Sequence, residues 1–241
     1  MSHAIVLVHG GQHTSECWEP TVSALAALHP DIEVIAVDLP GRAGNPADIR
    51  TVGIADCVAS VVADIENAGV DEVMLVAHSM AGVTVPGVAA ALGADRVSRM
   101  VFVAAAVPPD GKSILQDLVG DLQEEVSDKV DDQAEPAPFP RELAEQLFCN
   151  GMTGEQTEFS ISGLCAESTL LATQPVDRSA MPTSIPRTWI LTGQDRAVTP
   201  EQQRAHIDNL GGVEDVVEID TCHNVMISEP EILAKVLVDH F

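Results

Sequence analysis

The serine at position 79 is the residue in this sequence best placed to act as a nucleophile. It lies in the segment Ala77-His78-Ser79-Met80-Ala81-Gly82, between an apolar run that begins at Val73 and a stretch of small residues. A strand that turns sharply into a helix lifts such a serine hydroxyl above the edge of a sheet. Side chains two positions before and after the serine must be small in that turn, and alanine occupies both positions. The pattern predicts a nucleophilic Ser79 on a strand-to-helix turn.

A base and an acid for this serine follow it in the chain. A serine hydroxyl is a poor nucleophile until a base, such as a histidine held by a carboxylate, takes its proton. Asp195 and His223 come after Ser79 in the order that such a turn requires, and each follows an apolar run. Asp220 is closer to His223 in sequence and is the competing acid. We therefore predict that Ser79, His223 and Asp195 form a catalytic triad for attack on an acyl carbon.

Two backbone N–H groups are candidates for stabilising the oxyanion that such an attack creates. One belongs to Met80, which follows the nucleophile, and the other to Gly11 in the loop His9-Gly10-Gly11-Gln12. Glycine lets the backbone approach a substrate closely. A phosphate-binding loop is the weaker alternative, because the segment has neither a GxGxxG pattern nor a P-loop lysine.

Other reactive side chains receive structural interpretations. We interpret His9 and His78 as structural residues, and we expect His206 to lie exposed on a helix. Cys222, beside His223, could be a reactive thiol, but buried and inert cysteines are more common.

Short apolar runs alternate with amphipathic segments along the chain, which predicts an α/β protein. Because the runs are rich in Val, Ile and Leu without polar alternation, we expect about six mostly parallel strands with helices on both faces of the sheet. The expected strands are Ala4–Val8, Glu33–Asp38, Glu72–Ala77, Met100–Ala104, Thr188–Thr192 and Val213–Ile219. The expected helices are Glu19–Leu28, Val52–Ala68, Ala81–Leu92, Pro200–Asn209 and Pro230–Phe241.

Residues 107–185, here called the insertion, interrupt this alternation because they contain no clear strand pattern. Residues 1–106 and 186–241 would then form one core domain. An insertion between two strands must lie outside the sheet, and we expect it to form a helical cap over the carboxyl ends of the strands, where ligands bind in such folds.

Composition limits the partners of the protein. With 37 acidic and 12 basic residues the formal net charge is -25, which opposes binding to nucleic acids and to anionic membranes. We find no apolar run long enough to cross a membrane and no signal peptide. The five cysteines form no CxxC pair, so we expect free thiols, no metal site and a cytoplasmic location.

Segments along nearly the whole chain resemble the plant methylesterase and hydroxynitrile lyase family of α/β-hydrolases. The resemblance implies an α/β-hydrolase fold with an esterase-like core, a helical cap over a small apolar acyl pocket, and homodimer formation. It carries over Ser79, Asp195 and His223 as the triad and Gly11 with Met80 as the oxyanion donors. The segments are Val6-Leu7-Val8-His9-Gly10-Gly11 with His13 and Trp18, the turn around Ser79, Val101 to Ala106 with Pro108, Gln203-Arg204 with Ile207-Asp208-Asn209, and His223 with Met226 and Glu229-Pro230.

The combined prediction is a cofactor-independent serine hydrolase that cleaves a small-molecule carboxylic ester. Three alternatives stay open: a lyase that uses the same triad on a cyanohydrin, a tailoring enzyme for larger aromatic or polyketide-like substrates, and a ligand receptor with slow turnover. The lyases that the chain resembles have Thr where it has Gly10 and Lys where it has Asn224, so these positions favour the hydrolase. We place Gly10, His13 and Asn224 in the predicted substrate pocket.

Overall fold

Six strands form one parallel sheet in the protein. A computed structural model describes residues 2–131 and 136–241. The strands are β1 (His3–Val8), β2 (Glu33–Val37), β3 (Glu72–His78), β4 (Val97–Val103), β5 (Arg187–Thr192) and β6 (Asp215–Ile219). Their order across the sheet is β2-β1-β3-β4-β5-β6, and each neighbouring pair is parallel. The predicted fold class is confirmed.

Both faces of the sheet are buried, which explains the apolar runs of the sequence. Val6 and Val8 pack into one hydrophobic cluster, while Ile5 and Leu7 of the same strand pack into another on the opposite face. Successive side chains of a strand point to opposite faces. A strand with apolar residues at every position is therefore stable only if helices cover both faces of the sheet.

Helices cover the two faces of the sheet. Leu25 of α1 and Leu233 of α10 pack in the cluster of Ile5, whereas Val61 of α2 and Val88 of α3 pack in the cluster of Val6. Pro200 and Pro230 stand in the first turns of α8 and α10, where their missing N–H leaves no bond unmade. The ranges outside the insertion are α1 (Glu19–Leu28), α2 (Ile54–Ala68), α3 (Val85–Leu92), α8 (Pro200–Asn209), α9 (Val225–Ser228) and α10 (Pro230–His240).

The described residues of the insertion contain four helices and no strand. These helices are α4 (Gly120–Asp131), α5 (Arg141–Phe148), α6 (Gly154–Ser162) and α7 (Thr169–Thr173). Leu147 and Phe148 of α5 pack against Ala197 in the loop after β5, which joins the insertion to the rest of the chain. Nowhere in residues 2–131 and 136–241 is there a helix both long and apolar enough to cross a membrane.

The sheet positions four loops at one edge. Because all neighbouring strands are parallel, the loops that leave β1, β3, β5 and β6 emerge at the same carboxyl edge. The chain order reverses beside β1, and such reversals open a crevice in which ligands bind in α/β sheets.

Candidate active site

Ser79 lies at the first position after β3, in a strained turn. Its φ is 51°, in the left-handed region that residues with a side chain rarely adopt. A short 3-10 turn, Ser79–Val83, follows the strand, so the helix expected from Ala81 begins only at Val85. The N–H of Ala106 donates to the carbonyl of Ser79 at 2.8 Å and holds the turn against the loop after β4.

The small residues around Ser79 are required by close packing. Ala77 and Ala81 are buried. A Cβ added to Gly82 would lie 2.4 Å from the carbonyl oxygen of Ala106, far closer than van der Waals contact allows. Only glycine fits at position 82 unless the backbone moves.

Three side chains from separate loops meet in one chain of hydrogen bonds. The Nε2 atom of His223 lies 2.9 Å from the Oγ of Ser79. On the other side of the ring, Nδ1 lies 2.7 Å from Oδ2 of Asp195. His223 follows β6 and Asp195 follows β5, so the parallel sheet brings together residues that are 144 and 28 positions from His223 in sequence.

The carboxylate of Asp195 is buried and held from two sides. Its Oδ1 accepts the N–H groups of Ala197 and Val198 at 2.8 and 2.9 Å. Its Oδ2 accepts the hydroxyl of Thr192 at 2.8 Å and the amide of Gln203 at 3.3 Å, besides contacting His223. Sequence reasoning missed Thr192 and Gln203. Gln203 lies in α8, and its role becomes visible only once that helix packs against β5.

Asp220, the competing acid, has a different partner. It is exposed, and its Oδ1 accepts the side-chain amide of Gln194 at 2.6 Å. It lies one residue after β6 and three positions before His223, and its carboxylate bonds to Gln194, whereas Asp195 is the carboxylate bonded to the His223 ring.

The loop after β1 brings Gly11 beside the residue that follows Ser79. A Cβ added to Gly11 would lie 3.4 Å from the Sδ of Met80. Gly11, Ser79 and Met80 all line the same cavity. The two residues predicted as oxyanion donors therefore lie next to each other at the cavity, together with Ser79.

Three buried histidines brace the loops around the site in their neutral form. His9 donates from Nδ1 to the carbonyl of Gly10, and His13 donates from Nδ1 to that of Gly11, each at 2.8 Å. Carbonyls only accept, so these nitrogens carry the protons. His78 lies against His223, with 4.8 Å between ring centroids, and its Nε2 donates to the backbone carbonyl of His223 at 3.1 Å.

Burial keeps these rings uncharged. Burial is the main reason that the pKa of His9 falls to about 3 and that of His13 to about 4. Burial, and then the charge of His223, hold the pKa of His78 well below its usual value. A protonated His223 would thus have the Asp195 carboxylate as its charged partner, while these three histidines stay neutral.

The prediction that His206 is exposed was wrong. The ring is 5% exposed, because α8 packs it between the core and the insertion. Its Nδ1 donates to the carbonyl of Ala105 at 2.9 Å, and its Nε2 lies 2.7 Å from Oδ2 of Asp117. Cys222 is buried too, and burial raises the pKa of its thiol, which opposes the reactive-thiol alternative.

A cavity of about 1040 Å³ opens onto Ser79 and His223. His13 also lines this cavity. Charged side chains also line it, among them Arg50, Lys129 and Glu167. Its main apolar lining residues are Ile49, Ile114, Leu118, Leu122, Val126, Phe139, Phe148 and Val198.

Gly10 and Asn224, the other two residues predicted for the substrate pocket, are not among the residues that line this cavity. A Cβ on Gly10 would lie 2.8 Å from the Cβ of Ser79 and from Nδ1 of His78, so the position packs against the turn. Asn224 is fully buried, and its amide donates to Nε2 of His13 at 3.1 Å and to the hydroxyl of Ser160 at 3.0 Å. The amide of Asn224 thus supports the ring of His13 through a hydrogen bond.

Comparison with known proteins agrees with this geometry. The chain matches the alpha/beta hydrolase family over residues 5–236 and belongs to that family. Methylesterase 7 of Arabidopsis thaliana is 30% identical over 97% of this chain and 94% of its own. Methylesterase 9 of the same plant is 27% identical over 97% of this chain and 96% of its own.

A solved structure supports the same fold. An extracellular alpha/beta-hydrolase from a Paenibacillus species superposes with a TM-score of 0.86 over 100% of this chain and 99% of its own, at 22% identity. That protein is described as sharing structural and functional homology with tobacco salicylic acid binding protein 2.

In residues 2–131 and 136–241, no cluster of three or more His, Cys, Asp or Glu side chains could hold a metal ion.

Proposed function

We propose that this protein is a carboxylic ester hydrolase with Ser79 as nucleophile, His223 as general base and Asp195 as the group that orients His223. The observation that supports this most strongly is the continuous chain of hydrogen bonds from the Oγ of Ser79, through both ring nitrogens of His223, to the buried carboxylate of Asp195. The kinship with plant methylesterases supports the same reaction class.

The arrangement can carry out acyl transfer in two halves. Ser79 attacks the ester carbon while its proton passes to Nε2 of His223, and the charged ring is stabilised by Asp195. His223 then protonates the leaving alcohol, which departs and leaves an acyl group on Ser79. In the second half His223 takes a proton from water, the hydroxide attacks the acyl carbon, and the acid leaves as Ser79 regains its proton.

The proposed oxyanion hole consists of the N–H groups of Gly11 and Met80. Both residues line the cavity beside Ser79, one from the loop after β1 and one from the 3-10 turn. Fixed backbone donors stabilise the tetrahedral oxyanion without reorganising, and loss of one such donor typically lowers kcat about 10²–10³-fold.

We propose that the insertion is the cap of this site and sets the substrate range. Its residues Ile114, Leu118, Phe139 and Phe148 supply apolar wall to the cavity. Pockets for drug-sized ligands have volumes of roughly 300–1,000 Å³, so this one can accept bulkier apolar esters besides the small ester that we predicted. An uncharged ester suits a wall with both apolar side chains and charges of both signs.

Hydrolysis is a better proposal than cyanohydrin cleavage. A threonine at position 10 would bring its Cβ within 2.8 Å of Ser79, and Asn224 is a buried neutral amide that cannot stabilise a departing cyanide. We therefore expect release of p-nitrophenol from p-nitrophenyl acetate and negligible release of cyanide from mandelonitrile. Fast cyanide release with weak ester cleavage would reverse this assignment.

The decisive experiment compares Ser79→Ala with Ser162→Ala. Ser162 is exposed and does not line the cavity, so its hydroxyl serves as the control. Wild type and Ser162→Ala should cleave p-nitrophenyl esters and react with a fluorophosphonate probe. Folded Ser79→Ala should lose about 10⁴–10⁶-fold in rate and all labelling. Unchanged activity in folded Ser79→Ala would refute the proposal, and a wild type that binds esters without turnover would indicate the receptor alternative.

We also propose that the protein works in a reducing compartment, the cytoplasm. Its five cysteines are all free thiols, and four of them are buried. Proteins of oxidising compartments commonly pair such cysteines in disulfides.

A further inference from the structure

Gln12, the residue after Gly11, has a backbone conformation that it does not favour. Its φ is 62°, in the left-handed region where a side chain crowds the backbone, and it is buried. Residues other than glycine keep such a conformation only when their surroundings hold it. We therefore expect the neighbours of Gln12 to hold it through hydrogen bonds.

Three polar groups of Gln12 bond to the insertion. Its backbone N–H donates to Oε2 of Glu167 at 3.0 Å. Its carbonyl accepts the N–H of Cys165 at 2.8 Å, and its side-chain Oε1 accepts the N–H of Phe139 at 2.8 Å. The partners lie 127 to 155 residues away, so this part of the loop is fixed by the insertion.

Arg42 in turn fixes Glu167. The guanidinium lies in the loop after β2 with its side chain fully buried, and two of its nitrogens bond to the two carboxylate oxygens of Glu167. Its Nε donates to the carbonyl of His13 at 2.9 Å. Burial lowers the pKa of Arg42, but the Glu167 carboxylate, helped by the nearby Cys165 and Cys57, outweighs burial and raises the pKa overall, so the guanidinium stays charged. This paired fork orients the carboxylate in a way that a single contact would not.

We infer that the Arg42–Glu167 ion pair is a brace that holds Gln12 in its left-handed conformation and thereby positions the N–H of Gly11 toward the oxyanion. Arg42, Gln12 and Glu167 are thus positioning residues, and they act on the reaction through the loop backbone. The inference rests on the proposed function, since it assigns this loop an oxyanion donor.

Because the brace acts on the loop backbone beside Gly11, we expect it to affect the rate of the reaction rather than the affinity for substrate. The ion pair contacts the chain at Gln12 and His13, directly after Gly11. If Gln12 relaxed to a negative φ, the Gly11–Gln12 peptide group would rotate and Gly11 would shift with it. Displacement of a catalytic group by about 1 Å can lower a rate about 10²-fold, and the oxyanion contact strengthens in the transition state.

The test compares Glu167→Gln with Glu158→Gln. Glu158 also pairs with an arginine, Arg141, but on the surface and outside the cavity, which makes it a matched control. We expect Glu167→Gln to lower kcat about 10–100-fold with KM changed less than about 3-fold. Affinity for a trifluoromethyl ketone, which forms a tetrahedral oxyanion on Ser79, should fall by the same factor as kcat/KM. Glu158→Gln should change neither.

A second variant and a second measurement keep the test decisive. Glu167→Gln leaves a buried guanidinium unpaired and can unfold the protein, whereas Arg42→Lys keeps the charge but loses the paired fork and the Nε–H bond to the carbonyl of His13. Amide hydrogen exchange of the peptide spanning residues 9–14 should speed up at least tenfold in either folded variant. Exchange needs no substrate, so it tests the brace even if wild type cleaves no ester, a result that would refute only the proposed function. Unchanged exchange, or a rise in KM alone, would overturn the inference.

Discussion

Asp195 illustrates, at the scale of single residues, how the carboxylate that we propose for the triad is kept in one orientation. One oxygen accepts two backbone N–H groups, while the other accepts the hydroxyl of Thr192 and contacts His223. Bonds from backbone N–H groups to a carboxylate are stronger than bonds between neutral groups. The ring of His223 thereby receives a fixed partner, and its Nε2 remains available to Ser79.

Replacing this carboxylate should abolish most activity. We expect Asp195→Asn to lower kcat roughly 10⁴-fold, because an amide favours the wrong tautomer of His223 and cannot stabilise its charged form. The matched control is Asp220→Asn, which alters only an exposed contact with Gln194, and we expect less than a threefold change. The measurement is steady-state ester hydrolysis by both folded variants. A larger loss in Asp220→Asn would mean that the acid has been misassigned.

Among the structural elements, the turn after β3 depends most on a single small residue. Gly82 faces the carbonyl of Ala106, and the N–H of Ala106 bonds to the carbonyl of Ser79. The same backbone segment therefore limits the size of residue 82 and holds Ser79, the proposed nucleophile.

Gly82→Ala should damage both stability and activity. A Cβ at 2.4 Å from a backbone oxygen forces the turn to move, which we expect to lower the free energy of unfolding by about 1–3 kcal/mol and to reduce kcat. Gly154→Ala is the control, because a Cβ there meets nothing within 4 Å and alanine favours the helix α6. Urea unfolding and ester hydrolysis measure the two effects. Equal stability of the two variants would contradict this account of the turn.

Elements that depend on local pattern could be predicted from the sequence, and contacts between distant segments could not. The strands carry continuous apolar runs, and the residues that follow β3, β5 and β6 must meet at one edge of a parallel sheet, so Ser79, Asp195 and His223 could be selected in advance. Burial of His206 depends on Asp117, which lies 89 residues away. The Arg42–Glu167 pair spans 125 residues and joins two loops without periodic pattern.

At the scale of the whole molecule, the buried histidines make folding sensitive to acid. His9, His13 and His78 have lowered pKa values in the folded protein, about 3, about 4 and well below the usual value. In the unfolded chain each would titrate near 6.5. Between pH 6.5 and about 4 the unfolded state therefore binds more protons than the folded state, so stability falls as the pH falls.

Removing one of these histidines should flatten the dependence of stability on pH. Each contributes about 1.4 kcal/mol per pH unit below 6.5. In His13→Asn the amide replaces the Nδ1 donor to Gly11 without titrating, so we expect the slope between pH 6.5 and 5 to fall by that amount. His29→Asn, at an exposed position, should keep the wild-type slope. Free energies of unfolding from urea titrations at several pH values provide the measurement, and identical slopes would contradict the prediction.

The anchoring of Gln12 on the insertion has a consequence for how this protein can be re-engineered. Phe139, Cys165 and Glu167 hold the loop beside Ser79, and Phe139 and Glu167 also line the cavity that we propose for the substrate. A chimaera that received the whole insertion of a relative would exchange the recognition surface and the loop anchors in one step. Substrate range and turnover would then change together. Grafts that exchange the wall but keep residues 139, 165 and 167 would be the way to vary them separately.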